Sequence, residues 1–257
     1  MIRRILTHSG PAHCDEFLAV SLLLLKHPQA VVERVPELSA DEVDEDTIVV
    51  DIGRRYDGVR FFDHHQDIDI PSSFFLVLRD VYGISLEDLP SDFVYVDVAD
   101  RMGHRHAAAT VGQARRSLAE KALLKVFMSH TTIKPQDPLH EVMKAVGKNL
   151  LAILDEYQQA KKTRFIETPL GFIAVTETPL SIALIEDAHP DKSIIGVIMP
   201  SRDGGTLLAK VRDSPFFNPA ATSYPKKFVH ATKFAAVVDL PINHVDPLRI
   251  AIECVSS

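Results

Sequence analysis

The chain has 257 residues, 46% of them hydrophobic, and a formal net charge of −7. That content supports one large core or two small ones, and the acidic balance excludes tight, non-specific binding of long duplexes through a wholly basic surface. Two cysteines, Cys14 and Cys254, exclude a disulfide scaffold and a four-cysteine zinc module and fit a reducing compartment.

Ile2 to Leu6 reads as a strand, closed by the polar loop His8-Ser9-Gly10-Pro11 rather than by a secretory cleavage site. Asp15 to His27 reads as a helix too densely apolar for one face, so it is expected to be buried. Its greasiest run, Phe17 to Leu25, is broken by Ser21 and too short to span a bilayer. A cytoplasmic protein without a membrane partner is the expectation. Ala30 to Val35 and Thr47 to Ile52 read as strands, the second rich in β-branched residues and ended by Gly53. Phe61-Phe62 forms a short strand before Asp63. The order strand, helix, strand, strand predicts a parallel α/β sheet. In such sheets ligands bind beyond the carboxyl ends of the strands, which places His8, Asp51 and Asp63 at one crevice.

Helical patterning covers Phe74 to Tyr82, Ser91 to Met102, Ala107 to Ser129 and Pro138 to Lys162. Asp137-Pro138 supplies a cap oxygen and a first-turn proline. Beyond Arg164 the pattern changes to strands at 164–167, 172–176, 193–199 and 206–211, with a helix at 179–188 between them. Asp203-Gly204-Gly205 reads as a hairpin turn, and Asp246-Pro247 opens a last short helix. The expected organisation is a catalytic α/β domain over 1–130, a helical connector over 131–164 and a smaller α/β domain over 165–257. A homodimer through the long helices is compatible with the pattern.

The densest chemistry is the run Asp63-His64-His65, preceded by His8, His13, Asp15 and Asp51. Each of these groups is costly to desolvate alone, and a shared cation offsets that cost. Mixed imidazole and carboxylate ligands suit Mn²⁺, Fe²⁺, Co²⁺ or Zn²⁺ better than Ca²⁺. Structural alternatives stand beside each reading: Asp15 as a helix cap, Asp51 as a turn residue, and the histidines as an exposed loop. Asp97 and Asp100 share a helix face ahead of Arg101 and Arg105, either completing a metal set or forming solvated salt bridges. Cys14 is expected to be buried and turned away from any metal. His104 and His106 read as loop decoration.

Thr7-His8-Ser9-Gly10-Pro11-Ala12-His13-Cys14-Asp15-Glu16, Val49 to Gly53, Phe62 to Gln66 and Val96 to Asp100 resemble motifs of the DHH phosphoesterase superfamily. Within it they look like the melanocyte-proliferating-gene branch, also called metal-dependent protein hydrolases. Phe228-Val229-His230-Ala231 is similar to a late motif of that branch. The resemblance implies two domains and phosphoester hydrolysis with two divalent ions that activate the attacking water, manganese first, with magnesium, cobalt or zinc as alternatives. It implies His8, His13, Asp15, Asp51 and His64 as ligands, with Asp51 bridging and Asp100, or else Asp97, completing the set. His65 would face the scissile phosphate, Asp63 would orient the histidine pair, and Arg101 and Arg105 would stabilise charge. The branch carries Asp-Asn-Gly after its fourth acid, where this chain has Arg101-Met102-Gly103.

The expected substrate is a short or single-stranded nucleic acid, RNA first. Arg202, Lys210, Arg212, Lys226, Lys227, His230 and Lys233 form the basic set of the second domain. Gly204 and Gly205 either cradle a phosphate with backbone N–H groups or form a plain turn. Two alternatives remain: a small-molecule phosphatase or pyrophosphatase, and a metal-binding module without catalysis.

Overall fold

The structure is a computed structural model describing residues 1–39, 43–112 and 117–255. It has mixed α/β architecture and divides into two compact units, Met1–Ile153 and Leu154–Ser257.

The first unit is built on a five-stranded sheet of order β4-β3-β1-β2-β5. Its strands are β1 Arg4–His8, β2 Val31–Val35, β3 Thr47–Val50, β4 Phe61–Phe62 and β5 Thr132–Ile133. The pairs β1–β2, β1–β3 and β3–β4 are parallel, as the alternation of strand and helix predicts, and β5 adds antiparallel to β2. All four residues of β3 are buried, as in parallel strands covered on both faces. Helix α1, Cys14–Lys26, buries Phe17, Ala19, Val20, Leu22, Leu23 and Leu24. Its buried Ser21 returns its hydroxyl to the Phe17 carbonyl at 2.7 Å, so no polar group inside the helix is orphaned.

Helices α2, Ser73–Tyr82, and α3, Ser91–Met102, follow the predicted spans closely. The single helix expected over 107–129 does not form. Instead α4 runs His104–Val111 and ends where Gly112 turns left-handed at φ +70°, and α5, Leu118–Met128, restarts at a Ser117 cap that accepts the Glu120 N–H. Residues 113–116 of that expected helix lie outside the described residues. Gly112 carries no side chain to oppose the left-handed turn, and the apolar periodicity on either side masked the break. The last helix of this unit's stretch is α6, Pro138–Ala160, and the division between the units falls within it. The carboxylate of Asp137 accepts the Lys134 N–H rather than a donor of α6, and its carbonyl accepts from Glu141.

The second unit carries a six-stranded sheet of order β10-β11-β9-β8-β7-β6. Strands β6 Arg164–Thr168, β7 Gly171–Val175, β8 Ile194–Pro200 and β9 Thr206–Lys210 occupy the expected segments. Only β7–β8 is parallel, joined through α7, Ile182–Ala188. Apolar residues pack on both faces. Ile173, Val175, Leu208 and Phe217 meet α8, Pro247–Cys254, on one side; Ala174, Val197 and Ala209 meet Ile185 of α7 on the other. Strands β10, Lys226–Val229, and β11, Ala235–Val238, lack an apolar alternation and were not expected; β10 is exposed along its whole length. Among the described residues no helix is long and apolar enough to cross a membrane.

Gly147 of α6 lies directly against the backbone of α1. A Cβ there would lie 2.3 Å from the Ser21 carbonyl oxygen of α1. Alanine ordinarily stabilises a helix interior by up to about 1 kcal/mol over glycine, but here the backbone of α1 must move. Gly147→Ala is expected to destabilise the protein by about 1–3 kcal/mol, measured as a lowered denaturation midpoint at unchanged m; a raised midpoint would contradict the close crossing.

Candidate metal centre

Four segments deliver the site. His8 ends β1, His13 caps α1, and Asp15 and Glu16 follow in its first turn, where the free N–H groups and the helix dipole favour carboxylates. The strand expected to run to Ile52 stops at Val50 because Asp51 adopts φ +59°. Asp tolerates this left-handed conformation better than most residues, and the turn carries its carboxylate toward His8. His64 and His65 follow β4, and Asp100 comes from α3.

These groups meet. His8 Nε2 lies 3.3 Å from Asp51 Oδ2 and 3.1 Å from Glu16 Oε2. His13 Nδ1 is 3.2 Å from Asp100 Oδ1, and His64 Nε2 is 2.7 Å from Asp100 Oδ2 and 3.4 Å from Asp51 Oδ1. Close as they are, the ring nitrogens of His8, His13 and His64, Asp51 Oδ2 and Asp100 Oδ2 are buried without an aligned hydrogen bond among the described residues. Asp15 is more telling: it is fully buried, and neither carboxylate oxygen has a hydrogen-bond partner. Asp15 is therefore not the helix cap, a position held by His13.

Three overlapping groups of ligand atoms each lie within 4.8 Å: His8, His13 and Asp51; Asp51, His64 and His65; and Asp15, Asp51, His64 and Asp100. Asp51 is common to all three. Burial raises the Asp15 carboxyl well above its usual range, and the charges of Asp51 and Asp100 push the same way. Burial also opposes charge on His8 and His64. Contacts with Asp51 and Glu16 outweigh it for His8, lifting it to about 10; contacts with Asp100 and Asp51 lift His64 to about 9. Unsatisfied buried oxygen and nitrogen atoms converging on one point are what a pair of N/O-liganded divalent ions would satisfy. The residues present therefore fit such ions.

His65 plays a different part. Its Nδ1 is held by Asp63 Oδ1 at 2.7 Å, so that nitrogen is engaged rather than available as a ligand. The same Asp63 oxygen accepts the His65 backbone N–H, and the other accepts the Arg54 backbone N–H. Asp63 is thus fully buried and orients His65.

Two expected residues fall elsewhere. Asp97 is buried but accepts the Ser72 N–H at 2.7 Å and pairs with Arg101, so it ties α2 to α3 instead of joining the cluster. Arg101, expected to stabilise charge, is consumed by that pair and by the Ile68 carbonyl at 2.9 Å. On a helix, 97 and 100 share a face, but only Asp100 reaches His13 and His64. Cys14, expected to turn away, is half-buried and lines a cavity of about 150 Å³ with His13, Asp15 and Asp100. His104, at the start of α4, lines the same cavity 3.2 Å from the Tyr95 hydroxyl.

Glu16 and Arg34 were missed as site residues. Buried Glu16 accepts the Thr7 hydroxyl at 2.7 Å and the His13 N–H at 3.3 Å, with Arg34 Nε 3.5 Å away. Arg34 donates to the Gly10 carbonyl at 3.0 Å and stacks over Phe127 at 4.6 Å. The signal for Glu16 was its position three residues after the capping residue. Nothing in the local pattern of β2 marks Arg34.

In the second unit the basic set is split. Lys227 donates to the Asp203 carbonyl beside Gly204 and Gly205, near the Val238 end of β11. His230 and Phe234 lie at the Ala235 end, where the Lys210 N–H donates to the Phe234 carbonyl. His230 bonds Thr232 at 2.8 Å and sits between the rings of Phe228 and Phe234 at 6.4 and 6.3 Å. Arg212 pairs with Glu186, Lys226 caps the Thr222 carbonyl, and Arg202 is exposed.

Residues 4–69 match the MYG1_exonuc family model, described as "Uncharacterised protein family (UPF0160)". The chain is 44% identical over 66 residues to "MYG1 protein YER156C" of Saccharomyces cerevisiae, covering 26% of this chain and 20% of that one. It is also 44% identical over 64 residues to "MYG1 exonuclease" of Homo sapiens, covering 24% and 17%. The matched segment thus spans about a fifth of the length of these relatives. Among solved structures, "pGpG-specific phosphodiesterase - PggH from Vibrio cholrae" aligns over 98% of this chain and 97% of its own, with 14% identity and a TM-score of 0.30, below what a shared fold gives. The segment that the family model matches bears His8, His13, Asp15, Asp51, Asp63, His64 and His65.

Proposed function

We propose that the chain is a metal-dependent phosphoesterase of the DHH type, acting as a phosphodiesterase or exonuclease on short single-stranded RNA or oligonucleotides. One observation carries the reading: the fully buried carboxylate of Asp15, with both oxygens unpartnered, faces Asp51, Asp100 and His64. A protein retains so costly an arrangement where a cation compensates it. The match of residues 4–69 to relatives called MYG1 exonuclease adds support.

In this reading His8, His13, Asp15, Asp51, His64 and Asp100 would hold two divalent ions, manganese first. The ions would supply Lewis acidity and an activated water. Asp51, shared by every candidate ligand group among the described residues, would serve both ions. Glu16, neutralised by Arg34, sets the orientation of His8 and the α1 start. His65, its Nδ1 proton fixed by Asp63, presents Nε2 to the phosphate. Arg202, Gly204, Gly205, Lys210 and His230 are proposed substrate contacts of the second unit, in two groups rather than one. The edge-to-face cluster of Phe228, His230 and Phe234, with both phenylalanines exposed, offers ring faces that suit unpaired bases better than a small phosphate ester, which favours an oligonucleotide over pyrophosphate.

Asp51→Asn is expected to lower kcat at least 1000-fold, an order-of-magnitude figure for losing a bridging ligand, while circular dichroism stays native. Full turnover on short phosphodiesters would refute the site. Chelator treatment is expected to abolish activity and Mn²⁺ to restore it best; turnover indifferent to chelation would count against the metal centre.

Asp15→Asn replaces a buried carboxyl, costly to ionise without a cation, by a neutral amide. The metal-free variant is expected to melt higher than metal-free wild type near neutral pH, and to lose most of the melting-point gain on adding Mn²⁺. Equal gains in both proteins would exclude Asp15 as a ligand.

The pH dependence has a definite sign. His8 and His64 are raised in the folded state, so the stability they contribute to metal-free protein is full below about 6.5 and is lost as pH rises toward 9–10. Metal must displace those protons, so Mn²⁺ affinity is expected to increase with pH over the same range. Titration calorimetry at several pH values checks this, and a flat affinity would contradict it.

A further inference from the structure

The larger cavity at the centre, about 350 Å³, is walled by His8, His13, Asp51, Asp63, His65 and Arg54. Arg54 is exposed, and among the described residues its guanidinium has no carboxylate or carbonyl partner. Arg55 differs: it stacks over Phe61 at 4.0 Å and lies 3.6 Å from Asp57.

Arg54 has φ +52°, a left-handed conformation that strains a residue with a Cβ. Asp63 pins it there. One Asp63 oxygen accepts the Arg54 N–H, and the other holds both the backbone and the ring of His65. A single buried carboxylate therefore fixes Arg54 and His65 on one wall.

The partners of the charged groups say what that wall meets. Arg34 offsets Glu16. Two divalent ions would face Asp15, Asp51 and Asp100, while Asp63 is engaged by His65 and the Arg54 N–H. Among the described residues lining the cavity, Arg54 is the cation whose guanidinium is left uncommitted, so it is free to meet an incoming phosphate. Its planar fork matches two phosphate oxygens.

We propose that Arg54 is a specificity-determining residue that binds non-bridging oxygens of a substrate phosphate beside His65. This rests on the phosphoesterase reading. The phosphate is either the scissile one or a terminal phosphate on the adjoining nucleotide, and the test separates the two.

The full chain, loaded with Mn²⁺, would be compared as wild type, Arg54→Gly and Arg54→Lys. Calorimetry would give the affinity for inorganic phosphate; kinetics would give KM and kcat on one dinucleotide with and without a 5′-phosphate. Arg54→Gly is expected to weaken phosphate binding about tenfold or more, with partial recovery in Arg54→Lys, which keeps the charge but loses the fork. KM rises on both dinucleotides if the scissile phosphate is bound, and only on the 5′-phosphorylated one if the terminal phosphate is. Glycine relieves the strain, so the melting temperature of Arg54→Gly is expected to rise by about 2 °C, which separates lost affinity from lost fold. Unchanged phosphate affinity in Arg54→Gly, or unchanged KM on both substrates, would overturn the assignment. Phosphate binding that depends on Arg54 in a wild type that cleaves neither dinucleotide would leave the anion site standing and remove the phosphoesterase reading.

Discussion

Mutual repulsion among buried carboxylates governs the first unit. Asp15, Asp51 and Asp100 share a space too small for their charges and too dry for water to screen them. Two compensations are visible, and a third is implied. Imidazoles of His8, His13 and His64 stand against them, Ser73 donates to Asp51 at 3.0 Å, and a divalent pair would supply the rest. Glu16 is a separate case, because Arg34 balances it from the neighbouring strand and His8 contacts its other oxygen. The fold thus stores unfavourable electrostatics at the end of its sheet and stabilises them with the hydrophobic packing of α1 and β3 around them.

Topology makes this placement possible. In a parallel sheet the strand ends lie together, so residues distant in sequence converge without long loops. His8, Asp51 and Asp63 follow β1, β3 and β4, adjacent in the order β4-β3-β1. Asp100 joins from the last turn of α3, and the Asp97–Arg101 pair fixes that helix against the start of α2. A residue that looked like a ligand thus holds the neighbouring one in place.

Much of this was legible in the chain. Asp-His-His after two phenylalanines, and acids after β-branched runs, name the chemistry because few other combinations tolerate burial. Which acid of a helical pair points inward was not legible, since 97 and 100 differ by less than a turn's rotation and only packing decides. Arg34 sits on a strand whose pattern says nothing of Glu16, a partner 18 positions earlier and reached only through tertiary structure. Gly112 was readable as a helix end, but apolar periodicity on both sides outweighed one glycine. The second unit's last two strands escaped notice because β10 has no buried face, and burial is what writes a period of two into a sequence.

That exposed strand has a further consequence. An edge carrying Phe228 and Val229 in solvent offers open backbone donors and acceptors to any other extended chain. Lys226 and Lys227 precede the apolar pair, and the register slips between Lys226 and Phe228. Flanking charge and a bulge are the devices by which natural sheets discourage intermolecular strand addition, so the rim of this sheet is guarded against self-association while its rings stay open to solvent.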